Sequence, residues 1–140
     1  MKKLFLVLLL ATACARPDYI TQEEWLRENT PPASGSCTLT FPQTQLCVKA
    51  EWLTGPNSSE ANVLVITLDG DSSVYDDMSA LLWMPSMGHG SAPVQITRLS
   101  ATQFKISNVY FIMPGDWEVR LTLKRSGQTV DQAALGLMVP

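Results

Sequence analysis

The sequence predicts an all-β domain: an immunoglobulin-like sandwich of two antiparallel sheets with about seven strands, preceded by a short N-terminal helix and tether. Apolar and polar side chains alternate along residues 117–124, as in a half-buried strand. Residues 61–69 are rich in β-branched side chains. Turn-forming clusters recur at the short intervals that separate the strands of a sandwich.

Seven apolar runs follow Cys37 and mark the candidate strands. They lie at residues 45–53, 61–69, 80–84, 93–98, 103–112, 117–124 and roughly 129–139. Breakers rich in Gly, Pro, Asn and Asp separate the runs. In the 117–124 run, we expect one set of alternating side chains to face the core, namely Trp117, Val119, Leu121 and Leu123. The domain is therefore expected to span residues 37–140, about the usual size for this fold.

Residues 1–13 are predicted to be a secretory signal peptide. Lys2 and Lys3 precede an apolar run at residues 4–10, which is much shorter than the roughly 20 residues that span a bilayer. Ala11-Thr12-Ala13 then leads directly to Cys14. This is similar to a bacterial lipobox, although Ala11 stands where Leu is usual, and it also satisfies an ordinary A-x-A cleavage site. The short signal and the position of the cysteine favour lipidation of Cys14.

A lipidated Cys14 predicts a chain held to a bilayer by its acyl groups in the bacterial cell envelope. Ala15 and Arg16 follow, and neither resembles an inner-membrane retention signal, so we favour the periplasmic face of the outer membrane. Residues 14–36 are expected to be a tether with a short helix at residues 22–29, begun by a capping box of Thr21 and Glu24. The helix is interpreted as a spacer, or alternatively as a docking element for a partner.

The two remaining cysteines, Cys37 and Cys47, form an even pair in an oxidising compartment and predict a disulfide. A pair of metal-binding thiolates is the alternative. Without Lys2 and Lys3, the chain has eight basic and thirteen acidic side chains and no basic cluster. Binding to nucleic acid or to anionic head groups is therefore disfavoured, because both need Lys and Arg.

One loop carries the clearest chemical signal. The stretch Trp83-Met84-Pro85-Ser86-Met87-Gly88-His89-Gly90 holds the only histidine of the sequence, and a second Met-Pro pair begins at Met113. Thioether and imidazole groups are ligands that Cu(I) prefers. If both loops lie at one end of the sandwich, Met84, Met87, His89 and Met113 converge. The alternative is structural, since methionine often fills cores and a histidine beside glycines is often a solvated turn residue.

The two loops also carry a resemblance to a known family. The Trp83-Met84-Pro85-Ser86-Met87-Gly88-His89 loop, followed by Phe111 to Val119, resembles the YtkA-like domain family, which is related to FixH-type proteins. The similarity covers residues 60–139. It implies an immunoglobulin-like envelope domain with a copper connection and, as partners, copper-handling or oxidase-assembly proteins. The metal-ligand candidates it implies are Met84, Met87, His89 and Met113.

The sequence gives less support for a calcium site or for catalysis. The acidic stretch at residues 69–77 lacks the ligand spacing of an EF-hand, so a solvated turn is favoured over a calcium site. The sequence has no G-x-S-x-G motif and one histidine, so we predict a protein that is not an enzyme. The expected function is that of a membrane-anchored copper chaperone or buffer. The alternative is a metal-free interaction or structural module of an envelope complex.

Overall fold

The computed structural model describes residues 37–69, 72 and 74–140 of the chain, and within them it contains nine β-strands and no helix. In chain order the strands are β1 (Leu39–Thr40), β2 (Cys47–Thr54), β3 (Asn62–Asp69), β4 (Asp77–Met84), β5 (His89–Gly90), β6 (Gln95–Arg98), β7 (Gln103–Val109), β8 (Gly115–Arg125) and β9 (Gln128–Val139).

The strands form two antiparallel sheets with an immunoglobulin-like order. One sheet has the order β1-β2-β3-β7-β6 and the other has the order β5-β4-β8-β9. Within them, β2-β3-β7-β6 and β4-β8-β9 reproduce the strand orders of the two sheets of a constant-type immunoglobulin domain. The predicted fold class is therefore confirmed.

All seven predicted strands are present, and two strands of two residues each were not predicted. One of these, β5, lies between the predicted runs at residues 80–84 and 93–98, in a segment that Gly88 and Gly90 predict to be a chain breaker. Gly88 does reverse the chain, with φ at +67°, but the reversal brings His89 into register opposite Met84. The breaker is therefore the turn of a hairpin, and the strand that follows it was missed.

The predictions for residues 1–36 lie outside the described residues. They include the signal peptide, lipidated Cys14, the tether at residues 14–36 and the helix at residues 22–29. Among the residues that the structure describes, no helix is long and apolar enough to cross a membrane.

The core lies between the two sheets and follows the alternation of β8. The side chains predicted to face inward on β8 are all fully buried: Trp117, Val119, Leu121 and Leu123. They pack in one hydrophobic cluster with buried side chains of the opposite sheet, among them Leu64, Ile66, Phe104 and Ile106. Because sheet side chains alternate with a period of two, this burial fixes the register of β8 between its neighbours.

A disulfide closes the hairpin of β1 and β2. The Sγ atoms of Cys37 and Cys47 are 2.16 Å apart and their Cα atoms are 5.0 Å apart. The predicted pairing is therefore confirmed. Because Cys47 begins β2 and lies opposite Asp69, the chain enters the sandwich at the end where β3 finishes.

The segment between β1 and β2, residues 41–46, is called the entry loop. A buried carboxylate holds it against the other sheet. Asp131 on β9 is 1% exposed, and one of its oxygens accepts hydrogen bonds from the backbone N–H of Gln43 and Thr44 and from the Thr44 hydroxyl. The other oxygen accepts from the N–H of Gln132. Burial acts to raise the pKa of Asp131, but these donors outweigh it and lower the pKa below its ordinary value of 3.8.

The depressed pKa of Asp131 makes its contribution to stability depend on pH. The contribution is present above the ordinary carboxyl pKa and is lost as the pH falls through the lower value of the folded protein. Asp131→Asn is expected to lower the free energy of unfolding at pH 7 by about 1–3 kcal/mol, because an amide nitrogen or a weaker acceptor replaces the ionised oxygens. Urea denaturation from pH 7 to pH 2 should show the two proteins converging at acid pH. A constant difference across that range would contradict this assignment.

At the opposite end of the sandwich, a buried amide holds the turn after β2. Asn62 is fully buried, and its Nδ2 donates to the carbonyls of Asn57, Glu60 and Val109. Its Oδ1 accepts from the N–H of Asn57. A Cβ added to Gly55 would lie 1.7 Å from this oxygen, and Gly55 has a φ of +89°. The position therefore requires glycine for both space and backbone conformation.

Two glycine substitutions separate the effect of lost space from the effect of backbone strain. Gly55→Ala is expected to cost more than about 3 kcal/mol, because the new methyl group must displace the Asn62 amide as well as strain the backbone. Gly127→Ala is the matched control: φ there is +76° and nothing lies within 4 Å of the added Cβ, so the cost should be about 1 kcal/mol. Thermal and urea unfolding of both variants measure the difference. Equal losses would show that the close contact at Gly55 relaxes without cost.

Candidate functional site

The Met/His loop, residues 83–90, contains the turn of the β4–β5 hairpin. The carbonyl of Met84 accepts hydrogen bonds from the N–H of Met87 at 3.2 Å and of Gly88 at 2.9 Å. The chain then returns, so that His89 lies directly opposite Met84 in the ladder. Directly opposed residues of an antiparallel pair project from the same face of the sheet. Met84 is buried, so His89 also projects toward the interior face.

The second loop, residues 110–114, joins β7 to β8 and is held by Trp117. The indole Nε1 of Trp117 donates to the carbonyl of Met113 at 2.9 Å, and the ring itself is fully buried. Met113 is partly buried and packs against the hydrophobic cluster. The buried indole therefore holds Met113 at the rim of the core.

Direct contacts join the two loops. The carboxylate of Asp116 accepts a hydrogen bond from the backbone N–H of Ser86 at 3.1 Å and a second one from the Ser86 hydroxyl. The methyl end of Met84 lies against Gly115, where an added Cβ would be 2.5 Å from it. The two loops thus lie at the same end of the sandwich, which is the condition under which the four candidate side chains were expected to converge.

The imidazole of His89 packs against the indole of Trp117. The ring centroids of His89 and Trp117 are 6.2 Å apart, with an interplanar angle of 70°. Nδ1 of His89 is 3.1 Å from the carbonyl oxygen of Gly90. A carbonyl oxygen only accepts, so Nδ1 is the donor in this contact, and the tautomer that fits it carries its lone pair on Nε2. Nε2 is therefore the nitrogen available to a ligand.

The four candidates differ in exposure. Met84 is 4% exposed, His89 and Met113 are half-buried, and Met87 is 59% exposed. At this end of the sandwich the His89 ring contacts Trp117, the Met113 backbone carbonyl accepts from its indole, and the Met84 methyl lies against Gly115. Met87 lies on the surface of the turn above them. Within one loop, the chain presents one thioether to solvent and keeps another in the core.

Two features of this end of the sandwich were not predicted from the sequence. The ring of Trp117 also packs against Phe111 at 5.4 Å, and Phe111 packs against Trp52 of the other sheet at 5.9 Å, so aromatic rings connect both sheets to His89. The second missed feature is the bridge between Ser86 and Asp116. The available signal was the position of Asp116, directly before the buried alternation of β8 and directly after a Pro-Gly turn.

Charged side chains are absent from both loops. Residues 84–93 and 108–115 contain no Asp, Glu, Lys or Arg. Several large apolar side chains are exposed there, namely Met87, Tyr110 and Ile112. In residues 37–69, 72 and 74–140, no group of three or more His, Cys, Asp or Glu side chains is placed to hold a metal ion. That donor set does not include methionine, on which the predicted site depends.

The described carboxylates of the acidic stretch between β3 and β4 are engaged by protein groups. Asp76 accepts from the N–H of Ser126 in the turn between β8 and β9, and Asp77 accepts from the N–H of Met78. Asp69 pairs with Lys49 on the neighbouring strand.

Comparison with known proteins adds no relative: no family model, no curated protein and no solved structure matches the chain.

The bridge between the loops predicts a local effect of Asp116→Ala. Loss of both acceptors should cost about 1 kcal/mol of stability and raise amide hydrogen exchange in residues 86–88, because Ser86 loses its only described tie to β8. Asp77→Ala, which removes a carboxylate at the other end of β4, is the matched control and should leave that exchange unchanged. Equal exchange in both variants would show that the turn holds its shape without the bridge.

Proposed function

We propose that this chain is a membrane-anchored bacterial envelope lipoprotein that binds Cu(I) at the β4–β5 turn, as a copper chaperone or buffer. The proposed role is binding and transfer of copper as cargo, without catalysis. The observation that supports it best is the meeting of the two loops at Trp117, since it gathers Met84, His89 and Met113 at one end of the sandwich.

The chemistry of these side chains suits a soft monovalent cation. Thioethers and an imidazole are soft or borderline ligands, and residues 84–93 and 110–114 contain none of the carboxylates that hard cations prefer. The neighbouring Asp116 carboxylate is engaged by Ser86. The tautomer of His89 leaves Nε2 free to coordinate. Uncharged ligands hold copper less firmly than thiolates do, which suits a protein that must give up its cargo.

The exposure of the four side chains suits capture and release. Met87 on the surface of the turn meets an incoming ion first, and half-buried His89 lies behind it. Met113 at the rim and Met84 in the core supply the deeper thioethers. Inward movement of the ion requires the turn to shift, and the bridge between Ser86 and Asp116 is the contact that restrains it.

The position of the loops in the fold suits a partner that approaches through the periplasm. The chain enters the sandwich at the Cys37–Cys47 end, whereas both loops lie at the opposite end of strands eight residues long, on the order of 25 Å away. With Cys14 anchored to the outer membrane and residues 14–36 as a tether, the loops face into the periplasm. Copper-handling or oxidase-assembly proteins are the partners that we propose there.

A second candidate function rests on the exposed apolar side chains around the same turn. Met87, Tyr110 and Ile112 form an uncharged surface, and such patches are typical of protein contacts. A metal-free interaction or structural module of an envelope complex would use this surface directly. In that case partner binding would persist in the presence of a Cu(I) chelator.

Copper affinity tests the main proposal. The full chain, titrated with Cu(I) against a chromogenic chelator under anaerobic conditions, is expected to bind one equivalent. His89→Ala and Met87→Ala should each weaken binding by tenfold or more, because each removes a proposed ligand. Met84→Leu and Met113→Leu remove a thioether with little change in volume and should weaken binding in the same way.

Met78→Leu is the matched control, because Met78 is a buried methionine at the far end of β4. It should bind copper as the parent chain does. Unchanged affinity in both His89→Ala and Met87→Ala would exclude the proposed site. An equal loss in Met78→Leu would show that the affinity follows core packing and not ligand chemistry.

A further inference from the structure

In the part of the chain that the structure describes, strand β9 has a hydrogen-bonded strand partner on one side only. It pairs with β8, and it is the last strand of its sheet. On its other side, β1 lies close to β9 without pairing, and the entry loop is bonded to the beginning of the strand through Gln43, Thr44 and Asp131. No described strand is hydrogen-bonded to this free edge over residues 132–139.

This edge lacks the features that keep other strand edges from pairing. Residues 132–140 contain no charged side chain, and proline occurs only at the last position. The other described strands of four or more residues with open edges carry charges: Lys49 and Glu51 on β2, Asp77 on β4 and Arg98 on β6. The edge strands β1 and β5 have only two residues each. Natural edges are usually protected by charge, proline or short length, and β9, with twelve residues, is long.

The inner face of the same strand also leaves apolar surface uncovered. Ala133 and Leu137 lie opposite the fully buried Leu121 and Trp117, yet both are only partly buried. Leu135, between them on the same face, is buried, so the uncovered apolar surface is limited to these two positions. An added strand would bury these side chains and satisfy the open backbone groups of residues 132–139 together.

We propose that the free edge of β9 pairs with β9 of a second copy of this chain. The chain has a net charge of −3, so two copies repel each other over most of their surfaces. Residues 132–139 present no charge to themselves, which makes this edge self-complementary. An antiparallel pair related by a two-fold axis is the common way in which identical surfaces associate.

The register of this pair is restricted by the alternation of side chains. Directly opposed residues must lie on the same face, so the two-fold axis passes through a residue, and Leu135 and Gly136 are the central positions of the free edge. The two four-stranded sheets then form one continuous sheet of eight strands. The Met/His loop lies at the end of the sandwich and not along this side, so the pairing does not depend on copper.

The antiparallel arrangement places the two Cys37 ends at opposite ends of the pair. Residues 14–36 allow both copies to reach the same membrane, because a segment of this length spans up to about 80 Å when extended. Two-fold pairing through β9 is therefore compatible with two lipid anchors in one bilayer.

Sedimentation velocity of the full chain in a density-matched nonionic detergent tests the pairing. We expect a concentration-dependent monomer–dimer equilibrium. Ala134→Lys, on the exposed outer face of the free edge, should raise the dimer Kd at least tenfold, since it adds a positive charge to each copy close to the proposed axis, on an edge that otherwise carries no charge. Gln128→Lys is the matched control: it adds the same charge to β9 outside the free edge, and its dimer Kd should stay within twofold of the parent value.

Hydrogen exchange identifies the surface involved. Amides of residues 132–139 are expected to become protected as the concentration rises, in the parent chain and in Gln128→Lys but not in Ala134→Lys. A chain that stays monomeric up to several hundred micromolar, or a dimer that tolerates Ala134→Lys, overturns the proposal. Protection of residues 132–139 that does not vary with concentration also overturns it, because it would indicate that residues 14–36 of the same chain cover the edge.

Discussion

Burial of Trp117 between the two sheets is the constraint on which the rest of this structure depends. Its ring is the largest fully buried side chain of the domain, and aromatic side chains dominate core energetics because each removes so much surface from water. The ring contacts Phe111, and through it the opposite sheet, while the indole nitrogen satisfies its hydrogen bond at Met113. One residue thus sets the register of β8, the path of the loop before it and the position of His89.

Buried polar groups determine the two ends of the sandwich. Asp131 holds the entry loop at one end, and Asn62 holds the turn after β2 at the other. Each has donors or acceptors for its buried atoms, so each fixes a loop that apolar packing alone would leave free to shift. Within the described residues, these contacts leave the outer edge of β9 beyond Asp131 without a paired strand. The open edge is therefore a consequence of where the chain places its polar contacts.

The architecture separates the three proposed roles in space. The chain enters at the disulfide end, the sulfur and imidazole groups lie at the opposite end, and the long free strand runs along one side. Each role can therefore change without disturbing the other two. A lipid anchor, a copper site and a second copy would not compete for the same surface. An uncharged loop region far from the entry point is consistent with a site that meets partners away from the membrane.

The sequence by itself determined the fold class, the seven main strands, the inward face of β8 and the pairing of Cys37 with Cys47. These follow from local rules, because side-chain alternation and turn chemistry act over a few residues. It also identified the two loops that lie at one end of the sandwich, residues 83–90 and 110–114. Only the tertiary structure decided that Met84 is buried while Met87 is exposed, that Asp116 bridges to Ser86, and that β5 forms at all. These features depend on contacts between segments about thirty residues apart or on a hairpin's exact register, which no local pattern encodes.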